Sequence, residues 1–197
     1  MGASAGNEIT GTALEIAQRL TITEYGEHII LIYPDLYSLR EIYSRYCKAA
    51  LENNEIVLIL TYYETNAIVR QTLKEIGVDV EKYEKVRALI IVQDITKTYF
   101  GTAEDFLFFL KLLDKQQEKR GKNGISVFVD MGVFFHYQND KKDIVIVFER
   151  SLRSKFNIKL KRFCNYHKQD FDRFNEYEKR DLLESHHLQI KVLDSMN

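Results

Sequence analysis

The chain has 197 residues, of which 45% are hydrophobic, and its 28 Lys and Arg residues nearly balance its 29 Asp and Glu residues. This length suits one domain with a sizeable core. A near-neutral charge gives no overall attraction for nucleic acid or an acidic membrane surface, so we expect neither as a direct partner. The two cysteines do not make a disulfide framework, and no apolar run approaches the roughly 20 residues of a membrane helix. These features predict a cytoplasmic protein.

Short apolar runs alternate with longer amphipathic ones along the chain. Continuous apolar runs such as HIILIY are typical of buried strands, whereas apolar residues spaced three and four apart indicate helices. The run at 144–152 fits either element by its period, and we favour a helix because it continues the alternation. In chain order, the patterns predict a strand at 28–33, a helix at 36–51, a strand at 56–61, a helix at 65–76, a strand at 88–92, a helix at 103–119, a strand at 125–129, a helix at 144–152, a strand at 160–166, helices at 170–174 and 176–185, and a strand at 188–192.

This alternation predicts an α/β fold, with a mostly parallel central sheet flanked by helices on both faces. We assign residues 22–197 to a single domain and residues 1–21 to an N-terminal tail or a short helix. In such a sheet, the ligand crevice lies beyond the carboxyl ends of the strands. The polar and aromatic residues at these ends are the candidate ligand contacts: Tyr33, Thr61, Tyr62, Glu64, Asp94, Asp130, His136, Tyr166 and His167. Thr61 followed by Glu64 also matches a helix capping box, and both roles stay open.

A phosphate-binding loop is missing where this architecture would keep one. Such a loop wraps phosphate in glycine-rich backbone and neutralises it with a lysine. After the strand at 28–33, the chain instead carries Pro34, which has no N–H, and Asp35, which repels phosphate. We therefore expect no ATPase activity.

A second constellation combines residue types that ligate metals. Asp130, His136, Cys164 and His167 together offer the carboxylate, thiol and imidazole groups that zinc prefers. However, Cys164 and His167 are three residues apart on a predicted strand, a spacing that puts side chains on opposite faces. The alternative is a buried cysteine and a hydrogen-bonded histidine. We assign no function to His28 or His186, and we expect no cofactor unless zinc binds.

Several ordered segments carry a resemblance to a known family. They are EHIILIY at 27–33, NEIVLILTYYET at 54–65, VFVDMG at 127–132 followed by Phe135 and His136, and FCNYH at 163–167. Together they resemble the MEDS domain, named for methanogens, methylotrophs and the DcmR sensory region, over about residues 22–193. The arrangement of strands also resembles a RecA or KaiC-type core.

The resemblance implies a non-catalytic sensory domain that binds a small organic ligand or a signalling protein, such as a kinase or a transcription regulator. Members of the family are thought to sense small hydrocarbon derivatives. Two alternatives stay open. One is a metal-dependent enzyme that uses Asp130, His136 and His167. The other is a protein-interaction scaffold that assembles as a homo-oligomer.

Overall fold

The computed structural model describes residues 7–93, 103–136, 142–151 and 158–194. Asp94, one of the predicted ligand contacts, lies outside these residues. The strands are β1 (Asn7–Gly11), β2 (His28–Tyr33), β3 (Ile56–Thr61), β4 (Leu89–Gln93), β5 (Ile125–Asp130), β6 (Leu160–His167) and β7 (Leu188–Val192). The helices are α1 (Ala13–Leu20), α2 (Leu36–Glu52), α3 (Asn66–Glu75), α4 (Val80–Lys85), α5 (Ala103–Lys119), α6 (Val133–His136), α7 (Lys142–Ser151), α8 (Lys168–Phe171) and α9 (Glu176–Glu184).

The strands form one seven-stranded sheet in the order β1-β7-β2-β6-β5-β3-β4. Every neighbouring pair is parallel, which confirms the predicted α/β class. The central strands β2, β3 and β5 are buried along their whole length, as their uninterrupted apolar sequences require. Because all strands run the same way, their carboxyl ends share one edge of the sheet.

Alternate residues of each strand enter two separate cores. On β2, Ile29 and Leu31 join the core beneath α1, α2 and α3, whereas Ile30 and Ile32 join the core beneath α5, α7 and α9. This alternation follows from the two-residue period of strand side chains. The face on which a residue lies therefore decides which core, and which site, it can reach.

Local sequence fixes where the main helices begin. The Asp35 carboxylate accepts a hydrogen bond from the Ser38 N–H at 2.8 Å and caps α2. Asn175 and Glu178 form a reciprocal capping box at the start of α9. The helix predicted at 144–152 is confirmed as α7. The helix predicted at 170–174 instead begins at Lys168, because the His167 side chain caps it.

The N-terminal segment takes part in the sheet. Within the stretch that we assigned to a tail or a short helix, residues 7–11 form β1, which pairs with β7, and residues 13–20 form α1. The apolar side of α1 is buried through Ile16 and Leu20, which belong to the core that also includes residues of α2 and α3. No helix among the described residues is both long and apolar enough to cross a membrane.

Candidate functional site

A group of polar and aromatic side chains meets at the carboxyl edge of the sheet. We call it the carboxyl-edge cluster and define it as Tyr33, Tyr62, Tyr63, Asp130, His136, His167 and Asp170. Five of its members are predicted ligand contacts, brought together because β2, β3, β5 and β6 end side by side. Tyr63 and Asp170 are not among the predicted contacts, although Tyr63 lies between two that are, Tyr62 and Glu64.

Asp130, the last residue of β5, holds two loops together. Its Oδ2 accepts hydrogen bonds from the backbone N–H groups of Tyr62 at 3.0 Å and Tyr63 at 2.9 Å. Its Oδ1 accepts one from the N–H of Gly132 at 3.0 Å. Burial raises the pKa of this carboxyl to about 6, while the three N–H donors act in the opposite direction. With both oxygens engaged, Asp130 orders the loops on which other cluster members lie.

Tyr63, His136 and Asp170 form a hydrogen-bonded triad. The Tyr63 hydroxyl donates to Asp170 Oδ2 and lies 2.7 Å from His136 Nε2, which is 3.3 Å from Asp170 Oδ1. Because the tyrosine proton points to Asp170, Nε2 of His136 carries a proton and donates to the tyrosine oxygen. Burial and the Asp170 carboxylate raise the pKa of Tyr63, so its phenol stays protonated. The triad is therefore a set of fixed donors and acceptors, not an activated nucleophile.

Aromatic rings complete the cluster. The Tyr62 and His136 rings lie nearly parallel, with centroids 5.9 Å apart, and the His136 side chain is 43% exposed. The His167 ring packs edge-on against Tyr33 at 5.4 Å and contacts Tyr63 at 5.9 Å. The Tyr33 hydroxyl is buried and has no hydrogen-bond partner among the described residues. Burial, with the nearby carboxylate of Asp130, raises its pKa.

Three other predicted contacts form their hydrogen bonds with residues outside this cluster. Tyr166 projects to the opposite face of the sheet, where its hydroxyl donates to Glu149 Oε1 at 2.8 Å. Glu64 is buried and accepts from Arg40 Nε at 2.5 Å. The Thr61 hydroxyl donates to the Glu64 carbonyl at 2.9 Å and accepts from the Glu64 N–H at 3.3 Å. The contact from the Glu64 N–H to Thr61 that a capping box predicts is present, but it does not cap a helix, because α3 is capped by Thr65 through the N–H of Ile68.

The predicted metal ligands do not come together. Cys164 lies on the face opposite His167, as alternation along β6 requires, and its Sγ is 3.2 Å from His28 Nε2. His167 Nδ1 accepts the Gln169 N–H at 3.2 Å. Within the described part of the chain, Asp130, His136, Cys164 and His167 do not place their ligand atoms close enough for one ion.

A groove of about 1250 Å³ is lined by Pro34 and Lys168, the chain neighbours of the cluster members Tyr33 and His167. Ile32, Phe171 and Leu183 add apolar surface to this groove. Its basic side chains are paired with acidic ones in the same groove, at 2.9 Å for Lys191 with Glu8 and 3.0 Å for Arg180 with Glu184. Lys168 with Asp172 and Lys179 with Glu176 form two further pairs. Paired charges favour a ligand of low net charge.

The signal that could have identified Tyr63 and Asp170 is local. Tyr63 follows the predicted contact Tyr62 directly, and Asp170 lies in the first turn of α8, just beyond the end of β6. Both belong to segments that carry the family resemblance or adjoin it. Extending the candidate set by one helical turn past each strand end would have included both residues.

Comparison with solved structures shows that this fold is shared. The flagellar accessory protein FlaH from Methanocaldococcus jannaschii is similar over 85% of this chain and 71% of its own, with a TM-score of 0.53 and 14% identity. A KaiC-like protein from Pyrococcus horikoshii is similar over 87% of this chain and 62% of its own, with a TM-score of 0.47 and 14% identity. The likeness to FlaH confirms the predicted α/β fold.

Sequence comparison identifies the family. No curated protein matches the chain. The family profile described as the methanogen/methylotroph, DcmR sensory domain matches residues 27–187, which include every described member of the carboxyl-edge cluster. The chain therefore belongs to the MEDS family of sensory domains.

Proposed function

We propose that this chain is a non-catalytic sensory domain that binds a small organic ligand at the carboxyl-edge cluster. The main observation behind the proposal is that hydrogen bonds within the protein already hold the side chains of this cluster in place before a ligand binds. Asp130 holds the loop that carries Tyr62 and Tyr63 through two backbone contacts, and Asp170 holds the Tyr63 hydroxyl. Preordered side chains lose little entropy when a ligand binds, which suits recognition.

The chemistry of the cluster favours a neutral or weakly polar ligand. Tyrosine and histidine rings supply apolar contact, and a few fixed polar atoms orient the ligand, as in most small-molecule sites. The adjacent groove has paired charges and apolar patches at Ile32 and Phe171. Phosphorylated ligands are disfavoured because the Asp35 carboxylate occupies the N-terminus of α2, where helices commonly bind anions.

The same geometry argues against a metal-dependent enzyme at this edge. Asp130 uses its oxygens on backbone N–H groups, and His136 Nε2 is engaged by Tyr63 and Asp170. A raised tyrosine pKa also opposes nucleophilic or general-base chemistry by Tyr63. We propose that the bound state is transmitted to a cytoplasmic signalling partner, a kinase or a transcription regulator.

The direct test is a binding screen on the purified chain. The probes are short-chain alcohols, amines and carboxylates, with saturation-transfer NMR as the readout and titration calorimetry for each positive compound. Tyr63→Phe and His136→Gln should weaken binding about 10-fold or more, as expected for the loss of a charge-assisted hydrogen bond. Tyr177→Phe is the matched control, because Tyr177 is 86% exposed on α9 and also loses only a hydroxyl.

Two outcomes would contradict the proposal. The cluster is not the ligand site if the panel yields no binder at millimolar concentration. The same conclusion follows if Tyr63→Phe and His136→Gln bind as tightly as the wild type and the Tyr177→Phe control. NMR spectra of the recovered compound address catalysis separately. A bound compound that is converted during incubation would identify an enzyme.

A further inference from the structure

A second cluster lies on the opposite face of the sheet, away from the carboxyl edge. We call it the buried quartet and define it as His28, Glu149, Cys164 and His186. These residues come from the start of β2, from α7, from β6 and from the connection between α9 and β7. All four are buried, and one ligand atom from each lies within 4.8 Å of the others.

Four of the six distances between ligand atoms of the quartet are close to the edge length of a coordination tetrahedron. His28 Nε2 lies 3.2 Å from both Cys164 Sγ and Glu149 Oε2. Glu149 Oε2 lies 3.5 Å from Cys164 Sγ and 3.5 Å from His186 Nε2. Zinc bonds of about 2.0–2.3 Å in tetrahedral geometry give ligand-to-ligand distances of about 3.3–3.8 Å.

Contacts outside the quartet turn its ligand atoms inward. His28 Nδ1 lies 3.2 Å from the Ser185 carbonyl, and His186 Nδ1 lies 2.7 Å from the Leu182 carbonyl. A carbonyl only accepts, so each Nδ1 carries the proton and each Nε2 presents a lone pair to the quartet. The Tyr166 hydroxyl binds Glu149 Oε1 and leaves Oε2 directed inward. Metal-binding histidines and carboxylates are commonly oriented by such outer contacts.

The quartet contains too few hydrogen-bond donors for its acceptor atoms. Two imidazole lone pairs and a carboxylate oxygen face one another, while the Cys164 thiol has a single proton to donate. His186 Nε2 is buried and has no hydrogen-bond partner among the described residues. A buried acceptor without a donor is costly, and a cation would serve all of these atoms at once.

We propose that the buried quartet binds one zinc ion, with His28 Nε2, His186 Nε2, Cys164 Sγ and Glu149 Oε2 as the ligands. Two imidazoles, a thiolate and a carboxylate are all common zinc ligands. Four protein ligands close the coordination shell, which is the pattern of a structural site. On binding, the Cys164 thiol releases one proton to solvent as its sulfur bonds to the metal.

The charge of the site is consistent with a divalent cation. The Cys164 thiolate and the Glu149 carboxylate together offset the two charges of zinc. Arg162 is also buried near the quartet, and its positive charge opposes the binding of a cation. The ion would link β2, β6, α7 and the segment before β7. It would therefore connect the β7 side of the sheet to the core beneath α5, α7 and α9. The quartet shares no residue with the carboxyl-edge cluster, although His186 also lines the groove beside that cluster.

The test begins with the full chain expressed in zinc-supplemented medium. Elemental analysis should find about one zinc per chain, and a chelator should lower the melting temperature. Replacement of zinc by Co²⁺ should give the intense visible bands of a tetrahedral site and a thiolate-to-cobalt charge-transfer band. Cys164→Ser should remove the charge-transfer band. Cys47→Ser is the matched control, because Cys47 is equally buried but lies in the other core.

A further variant separates coordination from simple packing. Tyr166→Phe should retain the charge-transfer band but weaken zinc binding by roughly 10–100-fold, the usual effect of losing an outer contact. The wild-type cobalt spectrum decides the question even if Cys164→Ser does not fold. Absence of stoichiometric metal after zinc supplementation, or a cobalt complex without the thiolate band, would overturn the proposal.

Discussion

Gly132 offers a sharp test of how tightly the carboxyl-edge cluster is held. A Cβ atom at this position would lie 2.4 Å from Cε2 and 2.9 Å from Cζ of Tyr63. Carbon atoms normally approach to about 3.5 Å, so the Gly132→Ala methyl requires a displacement of about 1 Å. Gly132 does not have a positive φ, so alanine adds no backbone strain and the steric clash acts alone.

Neither partner in this clash can retreat freely. The N–H groups of Gly132 and Tyr63 both donate to Asp130, at 3.0 and 2.9 Å, which fixes the two backbones relative to each other. The Tyr63 ring is fixed at its far end by Asp170 and His136. Gly132→Ala therefore either strains the site or breaks the hydroxyl contacts of Tyr63, and each route costs about 1–3 kcal/mol. For a chain of this length, a cost of about 2 kcal/mol lowers the melting temperature by roughly 4–8 °C.

A double-mutant cycle isolates the contact. The free energy of unfolding is measured by urea denaturation, followed by circular dichroism, for the wild type, Gly132→Ala, Tyr63→Ala and the double variant. In the Tyr63→Ala background the clash is absent, so the same glycine substitution should cost less than about 0.5 kcal/mol. An equal cost in both backgrounds, or no cost in the wild type, would refute the reasoning.

Three further predictions concern other buried or capping carboxylates. The pKa of Asp130 is raised to about 6 from an ordinary value of 3.8, so the folded state binds this proton more tightly than the unfolded state does. The free energy of unfolding should therefore fall by about 3 kcal/mol as the pH rises from about 4 to about 6. This pH dependence should be absent in Asp130→Asn when urea midpoints are compared across pH. Glu55 accepts from the buried Lys161 ammonium at 2.8 Å, so Glu55→Gln should cost about 3–5 kcal/mol in the same assay, and adding Lys161→Met should recover part of that loss. Asp35→Ala removes the cap of α2 and should cost about 1 kcal/mol, whereas an unchanged unfolding curve would show that the cap is dispensable.

The fold class and most of the elements from residue 28 onward could be predicted from the sequence alone. Buried parallel strands are continuous apolar runs, and amphipathic helices have apolar residues every three to four positions. Both patterns can therefore be recognised from the local sequence, without knowledge of tertiary contacts. Edge strand β1, with the sequence NEITG, carries one large apolar residue and left no such signal. The six-residue helix α4 was too short for its period to be recognised.

The carboxyl-edge cluster was predictable in outline because parallel strands share one carboxyl edge. Tyr33, Asp130, His136 and His167 follow from that rule alone. The rule does not say which way each side chain points, and Tyr166 turned to the other face through strand alternation. Tyr63 and Asp170 joined the cluster through loop and helix geometry beyond the strand ends.

The buried quartet could not be predicted from the sequence and becomes apparent only in the folded chain. His28, Glu149, Cys164 and His186 are scattered over most of the chain, and no short motif links them. The spacing of three residues correctly predicted that Cys164 and His167 lie on opposite faces of the strand. It could not predict which residues contact Cys164. Those neighbours depend on the order of strands in the sheet, which places β2 between β6 and β7, and on the packing of α7 across that face. Local periodicity specifies the faces of each strand and helix, whereas long-range packing specifies which faces meet.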